Sequence, residues 1–202
     1  TGSNLMRAGM PKGVCTEKWI CDHPQVIIDI KHGFMDAGSQ VVSAPTFTAN
    51  RINLARHGLE DQTYEINSTL MKIARETVRD GIYLCASVTT TSRIDEDYGK
   101  LLDAYSEQIQ IIADGGADYV MAATMLGLEE TMAALEACRS VCDLPMCCSL
   151  TIESDGSLFY GGNIFDAAET LAEMGADAVG INCSTGPDKL EAVVRNIKER
   201  VD

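Results

Sequence analysis

An α/β fold, a (β/α) barrel with pieces missing, is what this sequence predicts, on three observations. Five short apolar runs alternate with stretches of helical period. One helix-to-strand motif occurs three times. The chain has 202 residues, whereas a complete eight-stranded barrel takes about 250.

The predicted strands are residues 40–44, 82–88, 118–123, 146–151 and 177–182. They are short and apolar, as parallel strands covered on both faces are. Between them run helical faces: Val26, Ile27, Ile30 and Phe34; Ile66, Leu70, Ile73 and Thr77; Leu101, Leu102, Tyr105, Ile109 and Ile112; Leu128, Met132 and Leu135; Leu190, Val193, Val194 and Ile197. Pro187 suits the first turn of the last helix. The recurring motif reads Asp36-Ala37-Gly38, then Asp114-Gly115-Gly116-Ala117-Asp118, then Glu173-Met174-Gly175-Ala176-Asp177, each followed by an apolar strand. A glycine there stops the helix by taking a left-handed conformation. A doubly wound sheet has the same alternation, but no GxGxxG or GxxxxGK[ST] turn follows any strand, and this favours the barrel. No linker or low-complexity segment divides residues 1–202, so a single domain is expected, beginning in a loop at Thr1-Gly2-Ser3.

The charge balance excludes some partners. Sixteen Lys and Arg against thirty Asp and Glu give −14, the opposite of the basic stripe that tracks nucleic-acid phosphates. No apolar run reaches the ~18–20 residues of a membrane span. Eight cysteines without zinc-finger spacing, in a chain long enough to bury a core, suggest a reducing, cytoplasmic setting rather than a disulfide scaffold.

Barrel chemistry gathers at the C-terminal ends of the strands. Here those ends carry Ser43 to Phe47, Ser87 to Thr91, Ala123-Thr124, Ser149 to Thr151 and Asn182-Cys183-Ser184: hydroxyls, one amide and one thiol. None of the seven lysines lies there, which disfavours a Schiff-base nucleophile. No carboxylate pair lies there either, and Glu153 is the nearest acid. His23, His32 and His57 fall in helices or loops and read as structural. Cys183 is open to three readings: nucleophile, metal ligand, or small core residue. Cys147 and Cys148, adjacent on a strand, point to opposite faces and read as packing, as do Met121 and Met125. Cys138 and Cys142, four apart near a helix end, also read as structural. Cys15 and Cys21 flank an expected loop around Trp19. The Gly186-Pro187-Asp188 turn could offer helix amides to an anion, although Asp188 competes with one.

These residues resemble the homocysteine S-methyltransferase family, the zinc-thiolate barrel of cobalamin-dependent methionine synthase and betaine–homocysteine methyltransferase. Thr1 to Leu5 is similar to the tail of the family's DGAxGTxL. Ala37-Gly38 through Ser43 to Asn50 is similar to AGADxxxTNTFxAN, and Leu54 to Leu59 to the L…YGL that follows. Gly175 to Cys183, with Gly186-Pro187 after it, is similar to GADAVGxNC. The resemblance implies a (β/α)8 TIM barrel, here lacking strand 1 and strands 7–8, so that open sheet edges would be closed by further chain or by homo-oligomerisation. It implies that Cys183 is a metal ligand to zinc, the other two thiolates being a GGCC pair beyond this sequence. Gly2, Ser3, Thr46, Ser87 and Asn182 are the implied substrate-binding residues. Ala123 stands where the family has a glutamate that holds the amino acid's ammonium.

The implied reaction is methyl transfer to a small-molecule thiol such as homocysteine. The donor would be a methylated corrinoid (methylcobalamin) on a partner protein or domain, a betaine-like compound, or S-methylmethionine. Two other readings are a non-catalytic binding module that kept the barrel and a phosphate-binding barrel enzyme.

Overall fold

The computed structural model describes residues 2–183 and 185–201. Five parallel strands form one sheet in the order β1-β2-β3-β4-β5: β1 (Val41–Ala44), β2 (Tyr83–Val88), β3 (Tyr119–Met125), β4 (Met146–Leu150) and β5 (Ala178–Ile181). All five expected strands are present, each trimmed or extended by one or two residues. Strand order follows chain order without reversal. A doubly wound sheet reverses at a switch point, so this is an arc of a singly wound barrel.

The connecting helices are α5 (Thr63–Thr77), α6 (Tyr98–Asp114), α7 (Leu128–Val141) and α8 (Ile164–Glu173), with α9 (Glu191–Arg200) after β5. Before β1 stand α1 (Gly2–Arg7), α2 (Thr16–Asp22) and α3 (Pro24–Asp36), and the short α4 (Arg51–Leu54) follows it. The helices cover one face of the sheet, where Leu84, Val120, Met146 and Leu150 pack with Ile109, Ile112, Leu135 and Leu171. On the other face Tyr83 is 61% exposed and Val41 41%. A second apolar cluster joins Leu5, Ile20, Ile27, Leu54, Ile66 and Leu70 across α1 to α5. No helix among the described residues is long and apolar enough to cross a membrane.

The recurring motif has one physical form. Gly38, Gly116 and Gly175 all have left-handed backbones (φ +94°, +81° and +88°). The next amide reaches back five residues each time: Ser39 to the Phe34 carbonyl, Ala117 to Ile112 and Ala176 to Leu171. That is the bond of a Schellman helix stop. The aspartate that follows then fixes a neighbouring strand. Asp118 accepts the Leu84 amide (2.5 Å) at the start of β2, and Asp177 accepts the Met146 amide (2.7 Å) at the start of β4. An arginine one helix away pairs with each: Arg75 with Asp118 at 3.6 Å and Arg139 with Asp177 at 2.7 Å. The Met146 amide and Arg139 hold the Asp177 carboxyl below its ordinary range.

Two expectations of loop are corrected. Gly2 and Ser3 lie in α1, which is helical because Leu5 anchors it in the second cluster. Residues 16–22 form α2 rather than a loop, with Ile20 buried and Trp19 stacked on His23 at 4.3 Å. Pro187 opens a 3-10 turn (Pro187–Lys189) ahead of α9 rather than α9 itself.

Candidate functional site

At the C-terminal end of the sheet one amide organises the cluster. Asn182 follows β5, and its own N–H continues the ladder to the Leu150 carbonyl (3.0 Å). In β3, Thr124 is an extra residue: Ala123 pairs with Ser149 and Met125 with Leu150, leaving Thr124 between them. Its φ of +62° turns its amide out of the ladder, as a bulged strand does beside a site. That N–H donates to Asn182 Oδ1 at 3.0 Å, and Ser149 Oγ donates to the same oxygen at 2.7 Å. A backbone N–H can only donate, so the amide orientation is fixed. Nδ2 therefore faces Thr124 Oγ1 (2.8 Å) and Cys183 Sγ (3.3 Å). Thr124 Oγ1 lies 3.6 Å from the same sulfur.

Cys183 itself has a left-handed backbone, φ +63°. Two non-glycine residues in that conformation, side by side at strand ends, store strain of about 1–3 kcal/mol each. The Cys183 side chain is exposed, unlike those of Cys85, Cys138 and Cys148. Burial pushes the Cys148 thiol up to about 12 and raises that of Cys85, which makes both poor thiolates. The core-residue reading of Cys183 is thereby removed. Cys148 faces the helices while Cys147 is half-buried on the open face, as strand alternation requires.

The other expected site residues divide. Thr46 is fully buried, and its hydroxyl donates to the Ser87 carbonyl (2.9 Å), while its own carbonyl accepts from Gln108 (2.7 Å). Its polar groups are engaged within the protein, where it ties β1 to β2. Ser87 is 9% exposed, with its hydroxyl 4.0 Å from Cys85 Sγ on the inner face. Gly2 and Ser3 are exposed in α1 and take no part in the Asn182 cluster. Of the five residues expected to bind substrate, the structure brings Asn182 alone against Cys183, and adds Thr124 and Ser149.

The threonines after β2 serve a group that sequence reasoning missed. Glu130, in the first turn of α7 and 4% exposed, accepts from Thr90 Oγ1 (2.5 Å), Thr91 N (2.6 Å), Thr91 Oγ1 (2.7 Å) and Tyr105 OH (2.9 Å). Burial, then the facing carboxylate, pushes the Tyr105 hydroxyl well up. Thr89 Oγ1 binds the Ala123 carbonyl at 2.7 Å. The signal for Glu130 was its spacing from Ala133, Ala134 and Ala137, which places it on the buried face of α7. Glu17 is a second buried acid, accepting from Thr48 N and Oγ1 (2.9 and 2.7 Å). At the Gly186 turn, a Cβ would stand 2.6 Å from Asp188 Oδ1, so the carboxylate lies close against the Gly186 backbone.

The homocysteine S-methyltransferase family profile matches residues 1–202. The chain belongs to this family. Among curated relatives, methionine synthase of Mycobacterium tuberculosis is 26% identical over 199 residues, covering 91% of this chain and 17% of that protein. The S-methylmethionine–homocysteine S-methyltransferase of Pongo abelii is 24% identical over 196 residues, covering 96% of this chain and 52% of that protein. This homocysteine S-methyltransferase-type chain thus spans less than a fifth of the length of the methionine synthase and about half that of the Pongo abelii protein. The metallated form of the homocysteine methyltransferase MmuM from Escherichia coli superposes with a TM-score of 0.87 at 18% identity, over 99% of this chain and 77% of that one. At that identity the likeness establishes the barrel fold.

Proposed function

We propose that this chain forms the part of a thiol S-methyltransferase that presents Cys183 to an acceptor thiol of the homocysteine class. The observation that carries the reading is an exposed cysteine at a strand end, its sulfur faced by Asn182 Nδ2 and Thr124 Oγ1. Family membership and the names of the relatives support it.

The family implies zinc. A catalytic zinc ion takes three protein ligands and an open position. Among the described residues no group of three or more His, Cys, Asp or Glu could hold a metal. Cys183 offers one sulfur ligand, so these residues do not by themselves fit the ion. What the chain does supply is orientation. Asn182 fixes the sulfur through a fully engaged amide, and the bulge at Thr124 brings a hydroxyl oxygen to the same place. Positioning of this kind lowers the entropic cost of bringing two reactants together.

The test is methyl transfer to homocysteine from S-methylmethionine, betaine and methylcobalamin, using the complete protein that carries this chain. Methylation that is lost in Cys183→Ala, together with a drop in bound zinc per protein, is the expected result. Homocysteine binding by calorimetry with no transfer from any donor would support the binding-module reading instead and overturn this one.

A further inference from the structure

Away from the strand-end site, two thiols face each other where α7 passes into β4. Cys138 is fully buried in the last turn of α7, and Cys142 is the half-buried residue just past the helix. Their sulfurs are 3.7 Å apart. The Cys142 amide closes on the Cys138 carbonyl at 3.0 Å, and Cys142 Sγ lies 3.5 Å from the same oxygen. We propose that Cys138 and Cys142 form an oxidative modification site that a hydroperoxide converts to a disulfide.

The local geometry permits closure. A disulfide needs its sulfurs at about 2.05 Å, and two positions four apart within a helix hold their Cβ atoms too far apart, at about 5–6 Å. Cys142 is not within the helix. Its backbone is extended (φ −157°, ψ 168°), so closure shifts a turn rather than helical peptide units. Two carbonyls lose an S–H donor: that of Cys138, 3.5 Å from Cys142 Sγ, which keeps the Cys142 amide, and that of Leu144, 3.9 Å from Cys138 Sγ. Arg139 Nη1 also donates to it at 3.0 Å, so it keeps a partner after oxidation.

The chemistry balances with the hydroperoxide as two-electron oxidant. The more accessible Cys142 sulfur, as thiolate, attacks the terminal peroxide oxygen; the O–O bond breaks, and water or an alcohol leaves after protonation. The sulfenic acid then faces Cys138. Burial, followed by the neighbouring Cys142, holds the Cys138 thiol up to about 12, so Cys138 is suited to the second step rather than the first. Its sulfur attacks that of Cys142, the S–O bond breaks, and hydroxide leaves as water with the Cys138 proton. A dithiol reductant reverses the bridge.

The test is hydrogen peroxide treatment of the reduced protein, alkylation of residual thiols, and tryptic mapping without reduction. Trypsin cuts after Arg139, so the bridge joins the peptide ending there to the one beginning at Ser140. The cross-linked pair, sequenced to Cys138 and Cys142, should account for most of the oxidised Cys138, vanish in Cys142→Ser and persist in Cys183→Ser. The proposal is overturned if Cys138 stays alkylatable while Cys142 proceeds to sulfinic acid, or if Cys138 bridges to Cys147 or Cys148. Cys142→Ser alters a half-buried position, and an unchanged circular dichroism spectrum separates lost chemistry from lost fold.

Discussion

The Nδ2 of Asn182 donates to the sulfur of Cys183 across 3.3 Å, and the opposite end of the same amide is held by Thr124 N–H and Ser149 Oγ. The amide cannot flip without setting a donor against the Thr124 N–H. Asn182→Asp keeps both bonds to Oδ1 but places a carboxylate oxygen against sulfur. That opposes the build-up of negative charge there. Alkylation of Cys183 by iodoacetamide at pH 8 should slow by about three- to tenfold, with little change in the urea midpoint. Asn182→Ala, which leaves the Thr124 amide and Ser149 hydroxyl without this partner, should lower stability by about 1–2 kcal/mol. An unchanged alkylation rate in the aspartate variant would show that the amide does not govern the thiol.

Glu130 accepts four hydrogen bonds in a buried position near the strand ends. Three chain segments meet on it: the turn after β2, α6 through Tyr105, and α7. Glu130→Ala removes one acceptor and strands several buried donors, each costing about 1–3 kcal/mol if water does not replace the bond. A loss of about 3 kcal/mol or more is expected from urea unfolding at constant m value. Glu130→Gln keeps one oxygen and should fall between the two. A variant near wild-type stability would mean that water already serves the threonines.

Lys31 is a buried cation on α3 whose Nζ donates to the Ser43 carbonyl, at the side of β1 away from β2. Burial lowers its pKa from 10.5 to about 8. The unfolded chain therefore holds the proton more tightly than the folded one between pH 8 and 10.5. Stability rises with pH wherever the unfolded state binds more protons, so this residue contributes an upward slope across that window. The penalty is fully present below pH 8. Lys31→Met should flatten the slope relative to wild type and add up to about 3 kcal/mol at pH 7, less what the Ser43 bond contributes. Urea midpoints for both proteins from pH 7 to 10.5 check this, measured in a Cys85→Ala background because Lys31 and the Cys85 thiol act on each other's charge. Parallel curves would refute it.

The architecture was legible because its signals are local. A left-handed glycine followed by an apolar run marks each helix stop, and Gly38, Gly116 and Gly175 have the same Schellman bond. Cys183 stood out in the sequence by its place after a strand, and the structure leaves it exposed there. The contacts of Thr46 and Ser87 were not legible because a hydroxyl near a strand end has two possible partners, a ligand or a neighbouring carbonyl, and sequence does not say which lies nearer. Here Thr46 reaches the Ser87 carbonyl. Glu130 went unread because its partners, Thr90, Thr91 and Tyr105, come from 25 to 40 residues away. The bulge at Thr124 depends on strand register, which is a pairwise property that no single segment carries.

Thr124 combines backbone strain with a functional hydroxyl, and the two can be separated. Its φ of +62° disfavours any residue with a Cβ, while its Oγ1 accepts from Asn182 and faces Cys183. Thr124→Ala keeps the strain and loses the hydroxyl. Thr124→Gly loses the hydroxyl and also relieves the strain. At an ordinary backbone position alanine is the more stable of the two by about 0.5–1 kcal/mol; at a left-handed position the order reverses. Thr124→Gly should therefore be more stable than Thr124→Ala by about 1 kcal/mol in urea unfolding. Both should change the Cys183 alkylation rate alike, because both remove the oxygen 3.6 Å from sulfur, and Thr124→Ser should restore it. An alanine variant as stable as the glycine one would show that the left-handed turn relaxes once the hydroxyl is gone. In that case it is the bond to Asn182, rather than the register of β3 on β4, that holds Thr124 in its bulge.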